Sequence, residues 1–379
     1  MKKLILIICV ICAFMPTCSA ETENTVSNIF EEQYKASGAA ELEDKLDDDT
    51  KEILDDLGID PSGVDSGGIS VKEVFQKILR LLTDSVTSPV TASAAVLCAV
   101  MICSVFYSMY GERLSGINET ADYIGAMCVC AAAVVPFSSS IAKMVSAISV
   151  CSGFMLAFVP VYCGILICLG RTASAAGMST LVFSLAEAVA RLSKSVITPL
   201  SGMYLALSVS CAFSPGMNLR GISSTVKRAV FWLLGTVMTV FTAVLAITGV
   251  VNAASDSVSQ RTAKFLLGNL IPVAGGTISE AIGSVSGCLS LLRSGVGAYG
   301  LCAILFLMLP VILEILIWRG CLSIMAASAE IFNQHRCAQM LRGVGDGAGI
   351  FLSLLVCVLV LFIVSLAMMF AGGKSVWTG

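Results

Sequence analysis

Three acidic side chains stand where an acid is costly. Glu314 lies in LPVILEILIWRG, Glu187 in LVFSLAEAVARLSK and Glu280 in GGTISEAIGSVSG, each within a run otherwise apolar enough to enter a bilayer. A carboxylate at membrane depth must be paired or face water, so each is a candidate for moving solutes or for joining helices. Arg191 follows Glu187 at i+4, the spacing of an ion pair along one helix face, and there a structural pair outweighs a transport role. Glu314 is the strongest candidate. Pro310 precedes it, and Arg319, five residues on, can snorkel to the interface. Glu280 either lines a cavity or sits in water at the interface.

Other chemistries find little support. His335, the single histidine, has no second ligand near it in NQHRCAQM. The run Gly343-Val344-Gly345-Asp346-Gly347-Ala348-Gly349 lacks the GK[ST] ending of a phosphate-binding loop and precedes an apolar helix, so it reads as a flexible lead-in to the last span. Cysteines number 16, mostly inside apolar runs, where they act as small hydrophobes. The two in Cys128-Val129-Cys130 are neighbours two apart, which do not face each other on a helix. No catalytic constellation, metal site, cofactor site or basic-aromatic strip for nucleic acid emerges, and the chain reads as a non-enzyme.

The elements that must position these residues follow from composition. The chain has 379 residues, 56% hydrophobic and 13% charged. Globular domains carry about 25% charged residues, and runs of about 20 apolar residues point to membrane spans. The fold class expected is all-α: a polytopic integral membrane protein with about eight transmembrane helices and a small acidic N-terminal extracytoplasmic region. Residues 1–20, with Lys2-Lys3, an apolar core and Cys18-Ser19-Ala20, read as a cleaved signal peptide. Residues 21–88 form the acidic region; from Glu21 to Asp84 there are 17 acidic and 6 basic residues. Its apolar residues are too sparse for a large core, which suggests partial disorder or a need for a partner. It closes in ISVKEVFQKILRLLTDSV, an amphipathic helix read as leading into the first span. Residues 89–379 form the transmembrane domain, with spans expected near 89–110, 122–142, 146–169, 174–190, 195–213, 229–251, 298–318 and 348–371. Basic residues divide almost evenly between the two sides, so topology rests on the signal peptide.

The most unusual stretch is KFLLGNLIPVAGGTISEAIGSVSGCLSLLRSGVGAYG, from Lys264 to Gly300. Gly268, Asn269, Pro272, Gly275, Gly276 and Glu280 interrupt apolar sequence. Irregular backbone at membrane depth is tolerated only where protein or water satisfies it. Two readings stand: a broken or re-entrant hairpin packed through its small residues, or an amphipathic surface helix followed by a loop.

The segment Gly268-Asn269-Leu270-Ile271-Pro272-Val273 with Gly275, together with the acidic head, the amphipathic approach helix and the series of spans, resembles the stage III sporulation protein AE family of endospore-forming bacteria. That resemblance implies a place in the mother-cell-derived outer forespore membrane, with the head between the two membranes. It also implies assembly with other stage III proteins of the same operon, including a secretion-type ATPase and ring-forming proteins, and with a forespore membrane partner. Such an assembly would act as a channel or feeding apparatus that supports late forespore gene expression. The alternatives are a secondary transporter built around Glu314 and Glu280, or a scaffold without a pore; homo-oligomers are compatible with each. No convincing inverted repeat supports the transporter.

Overall fold

A computed structural model describes residues 24–60, 63–64, 71–110, 115–192, isolated positions between 195 and 210, 219–270 and 275–371. The signal-like segment and Pro272 lie outside the described residues. A chain this apolar must satisfy its backbone polar groups internally, and it does so with helices. The head holds α1 (Asn24–Ser37), a 3₁₀ helix (Ala39–Lys45), α2 (Asp48–Asp56) and a short antiparallel pair, β1 (Ile59–Asp60) with β2 (Gly63–Val64). Six long helices follow: α3 (Val71–Tyr110), α4 (Ser115–Cys168), α5 (Thr172–Leu192), α6 (Leu219–Leu270), α7 (Gly275–Ile331) and α8 (His335–Ala371).

Among the described residues, six helices are long and apolar enough to cross a membrane. The eight expected spans resolve into these six for two reasons. The segments expected at 122–142 and 146–169 are one continuous 54-residue helix, α4, and the segment at 195–213 lies largely outside the described residues. At 1.5 Å per residue α4 is about 80 Å long, well over twice the roughly 30 Å of a hydrocarbon core.

Two turns set the antiparallel pairing. Between α4 and α5, Gly170 takes φ 74°; the Arg171 N–H donates to Leu166 O at 2.9 Å and the Gly170 N–H to Ile167 O at 2.9 Å. Between α7 and α8, Asn333 adopts φ 58°, with the Gln334 N–H donating to Ala329 O at 2.8 Å and the Asn333 N–H to Glu330 O at 3.0 Å. Both are left-handed caps that satisfy the last carbonyls of a helix, at residues that tolerate positive φ. α7 and α8 run antiparallel, with Gly297 against Phe370 at one end and Glu330 paired to Arg342 near the other. α4 and α7 are antiparallel as well, from Phe158 against Gly300 to Phe137 against Trp318. α6 packs on α5 and α8 but is mostly exposed, showing Trp232, Val240, Ile247 and Val251 to its surroundings as a lipid-facing helix does.

The head is not left to find a separate partner. Its Leu42, Leu54 and Ile59 are buried in the same apolar cluster as Phe158 and Tyr299 of the bundle. The Asp56 carboxylate is paired with Lys77 of α3. The amphipathic segment runs without interruption into the first span as α3, so residue 88 marks no break in the helix. The glycine run of residues 343–349, expected to be flexible, is regular helix near the start of α8. Gly345 faces Leu322, Gly347 faces Tyr204 and Gly349 faces the Arg319 guanidinium, so these positions serve close packing.

Candidate functional site

The site is built where α4 and α7 cross the middle of the bundle. Glu314 is buried, only 7% exposed, among apolar neighbours. Such a carboxylate needs charged and hydrogen-bonding partners. It has them on α4: its Oε1 accepts a hydrogen bond from Ser140 Oγ at 2.6 Å, and Lys143 Nζ lies 3.3 Å from both carboxylate oxygens. Ser140 Oγ in turn accepts from Trp318 Nε1 at 2.8 Å. The hydroxyl thus receives one proton and donates another, which fixes its direction and orients the carboxylate. Phe137 packs edge-on to Trp318 with ring centroids 5.6 Å apart and meets Phe351 of α8 at 6.2 Å. One wall of the acid is dry and rigid; the other is a lysine whose side chain is 55% exposed.

The helix periodicity explains the grouping. Ser140 and Lys143 are three apart on α4, and Glu314 and Trp318 four apart on α7, so each pair shares a face. Arg319, five residues after Glu314, points elsewhere, toward Gly349. The cation at Glu314 is Lys143, a residue that the sequence reading placed in a loop between two spans. The SSSIAK run that carries it was the available signal.

Glu187 and Arg191 form the expected i,i+4 pair, with Arg191 Nε 2.7 Å from Glu187 Oε1 and both side chains exposed. Gly268 and Asn269 fall in the last turn of α6, while Gly275 and Gly276 open α7. Glu280 belongs to the same helix, and its side chain lies outside the described residues. Among the expected candidates whose side chains are described, Glu314 enters the mid-bundle cluster and Glu187 does not.

A second polar cluster sits at the end of the bundle nearer the head. Asp256 of α6, 2% exposed, accepts the Ala173 and Ser174 amides at 2.9 and 3.1 Å and so caps α5 from a neighbouring helix. Buried Arg171 and Arg293 stand nearby. Burial, and then Arg293, lower the Arg171 pKa, against the opposing pull of Asp256 and Tyr162. Arg293 also reaches Phe370 O at 3.5 Å, where a cation suits the C-terminus of α8.

The fold defines a polytopic α-helical membrane protein that holds charged groups inside a helical bundle. A model of the stage III sporulation protein AE family matches residues 61–373, and the chain belongs to that family. It is similar to the stage III sporulation protein AE of Bacillus subtilis (strain 168), 24% identical over 230 residues, which cover 59% of this chain and 58% of that protein. The aligned part thus spans less than two thirds of that relative. No solved structure matches the chain.

Proposed function

We propose that this protein is a membrane component of the multiprotein channel or feeding apparatus that links mother cell and forespore during endospore formation, and that late forespore gene expression requires it. The observation that carries this reading is the family match across residues 61–373, a range that contains all six long helices. In the proposed setting the protein lies in the mother-cell-derived outer forespore membrane, and its head faces the space between the membranes. The signal-like segment of residues 1–20 supports that orientation. Its partners are the other stage III proteins of the operon, the secretion-type ATPase and ring-forming proteins among them, and a protein of the forespore membrane. The chain acts without catalysing a reaction.

The Lys143–Glu314 pair favours a conducting component over a passive scaffold, because two apolar helices pack without a buried carboxylate between them. The same pair would suit a secondary transporter. Co-purification from sporulating cells separates the two: the proposed component is recovered with other stage III proteins, and a self-contained transporter is recovered alone.

A further inference from the structure

Arg171 and Arg293 are each only 6% exposed. Asp256 offsets the charge of Arg171 and accepts the Ala173 and Ser174 amides as well. Among the described residues Arg293 forms no ion pair; its hydrogen-bond contact is Phe370 O at 3.5 Å, and its guanidinium carbon stands 5.5 Å from the Phe370 ring centroid. Its Nε is buried with no hydrogen-bond partner among the described residues, and so is the hydroxyl of Tyr162, a residue 1% exposed. Buried charges are ordinarily paired, and buried donors ordinarily find an acceptor. One positive charge and two donors here call for the same thing, an acceptor that carries negative charge.

The donors converge. A Cβ at Gly297, one turn beyond Arg293 on α7, would lie 3.0 Å from the Phe370 ring and 3.4 Å from the Tyr162 ring. The glycine thus lets both rings close on α7 beside the arginine, and the Tyr162 hydroxyl lies in the field of both guanidiniums. The cluster also stands where apolar spans stop. Those of α4 and α8 end at Cys168 and Phe370, that of α5 begins at Thr172, and that of α6 ends at Ser259, three residues past Asp256. At such a level a bilayer gives way to its headgroups.

We propose that Arg171, Arg293 and the Tyr162 hydroxyl form a site for a phosphate group. The guanidinium fork matches phosphate oxygens, and two forks with a phenol supply the several donors that a tetrahedral oxyanion accepts from. Cys168, Gly170 and Thr172 are exposed around Arg171, which places the opening of the site at the turn between α4 and α5. The phosphate is carried by a lipid headgroup or arrives as the free ion. The site stands independently of the channel reading.

Thermal unfolding of the full-length protein in an uncharged detergent tests the site. The additives are phosphatidylglycerol, the diacylglycerol of the same chains, which lacks the phosphate, and inorganic phosphate against chloride at equal ionic strength. Phosphatidylglycerol is expected to raise the melting temperature by at least about 2 °C and diacylglycerol to leave it unchanged, since a ligand of the folded state alone stabilises it. Arg293→Gln should remove the shift, whereas Lys227→Gln, paired with Asp346 toward the other end of α8, should keep it. A shift with inorganic phosphate and none with the lipid would support the site and make the free ion its ligand. No shift with either would overturn the proposal, and so would a full shift in Arg293→Gln. Tyr162→Phe gives a second test should Arg293→Gln fail to fold. Without additive it should melt no lower than the wild type, because it deletes a buried hydroxyl that has no acceptor among the described residues. With additive, its half-maximal shift should need at least about threefold more ligand. A lower melting temperature without additive, or an unchanged concentration dependence with it, would contradict the site.

Discussion

Glu314 and Lys143 are 171 positions apart in the chain, and the lysine Nζ lies 3.3 Å from both oxygens of the carboxylate. That contact ties α7 to α4 at the middle of the bundle. Removing one partner strands the other, whereas removing both leaves two neutral amides. Glu314→Gln and Lys143→Gln should each destabilise the protein, and the double variant should recover part of the loss. The lysine is half exposed, so the coupling expected is about 1–2 kcal/mol, below that of a fully buried pair. Thermal unfolding of the four proteins in detergent closes the cycle. Strict additivity would mean that the pair contributes nothing.

Close helix approach makes a second prediction. A Cβ at Gly300 would collide with the Phe158 ring, whereas one at Gly320 would meet nothing within 4 Å. Gly300→Ala should cost about 1–3 kcal/mol through overpacking. Gly320→Ala should be neutral or stabilise by up to about 1 kcal/mol through helix propensity. Melting temperatures of the two variants should move in opposite directions or differ clearly in size.

Asp256 holds the start of α5 and offsets the charge of buried Arg171. Asp256→Asn keeps the shape but removes the charge, and should lower stability by about 1–2 kcal/mol. Protease cleavage near the α4–α5 turn should accelerate. Cleavage unchanged from the wild type would show that the carboxylate is not what orders this corner.

Docking of the head should depend on pH, with two opposing contributions. Burial, then Asp60, Asp55 and Asp44, raise the Glu43 pKa, so the docked head favours its protonated form. Docking should therefore strengthen as pH falls from neutral through the raised Glu43 pKa. The hydrogen bond and charge of Lys77 lower the Asp56 pKa. Its contribution is present above the ordinary aspartate range and is lost as pH falls through the lowered value. Protection of head amides from hydrogen exchange should rise in mild acid and fall in strong acid, and Glu43→Gln should flatten the first limb only.

Composition was enough to show that the chain is an all-α membrane protein, and the cost of a carboxylate at membrane depth was enough to single out Glu314. The i,i+4 spacing also identified the Glu187–Arg191 pair. Lys143 escaped because a span-length rule divides a 54-residue helix near the lysine and turns a bundle residue into a loop residue. The head's core was hidden for a related reason. Leu42, Leu54, Ile59 and the head's other buried apolar residues are spread thinly among acidic ones in sequence; they complete a core shared with α4 and α7. The glycine run misled because glycine serves both flexible lead-ins and tight helix packing, and only the neighbours Leu322, Tyr204 and Arg319 distinguish the two.

The most direct test of the central claim is a late-forespore fluorescent reporter, read cell by cell in the sporulating host. Cells lacking the protein should complete engulfment and leave the reporter dark. The wild-type chain should restore it, and Glu314→Gln, shown to be inserted and stable, should restore it only in part. Full late expression in cells lacking the protein would contradict the account.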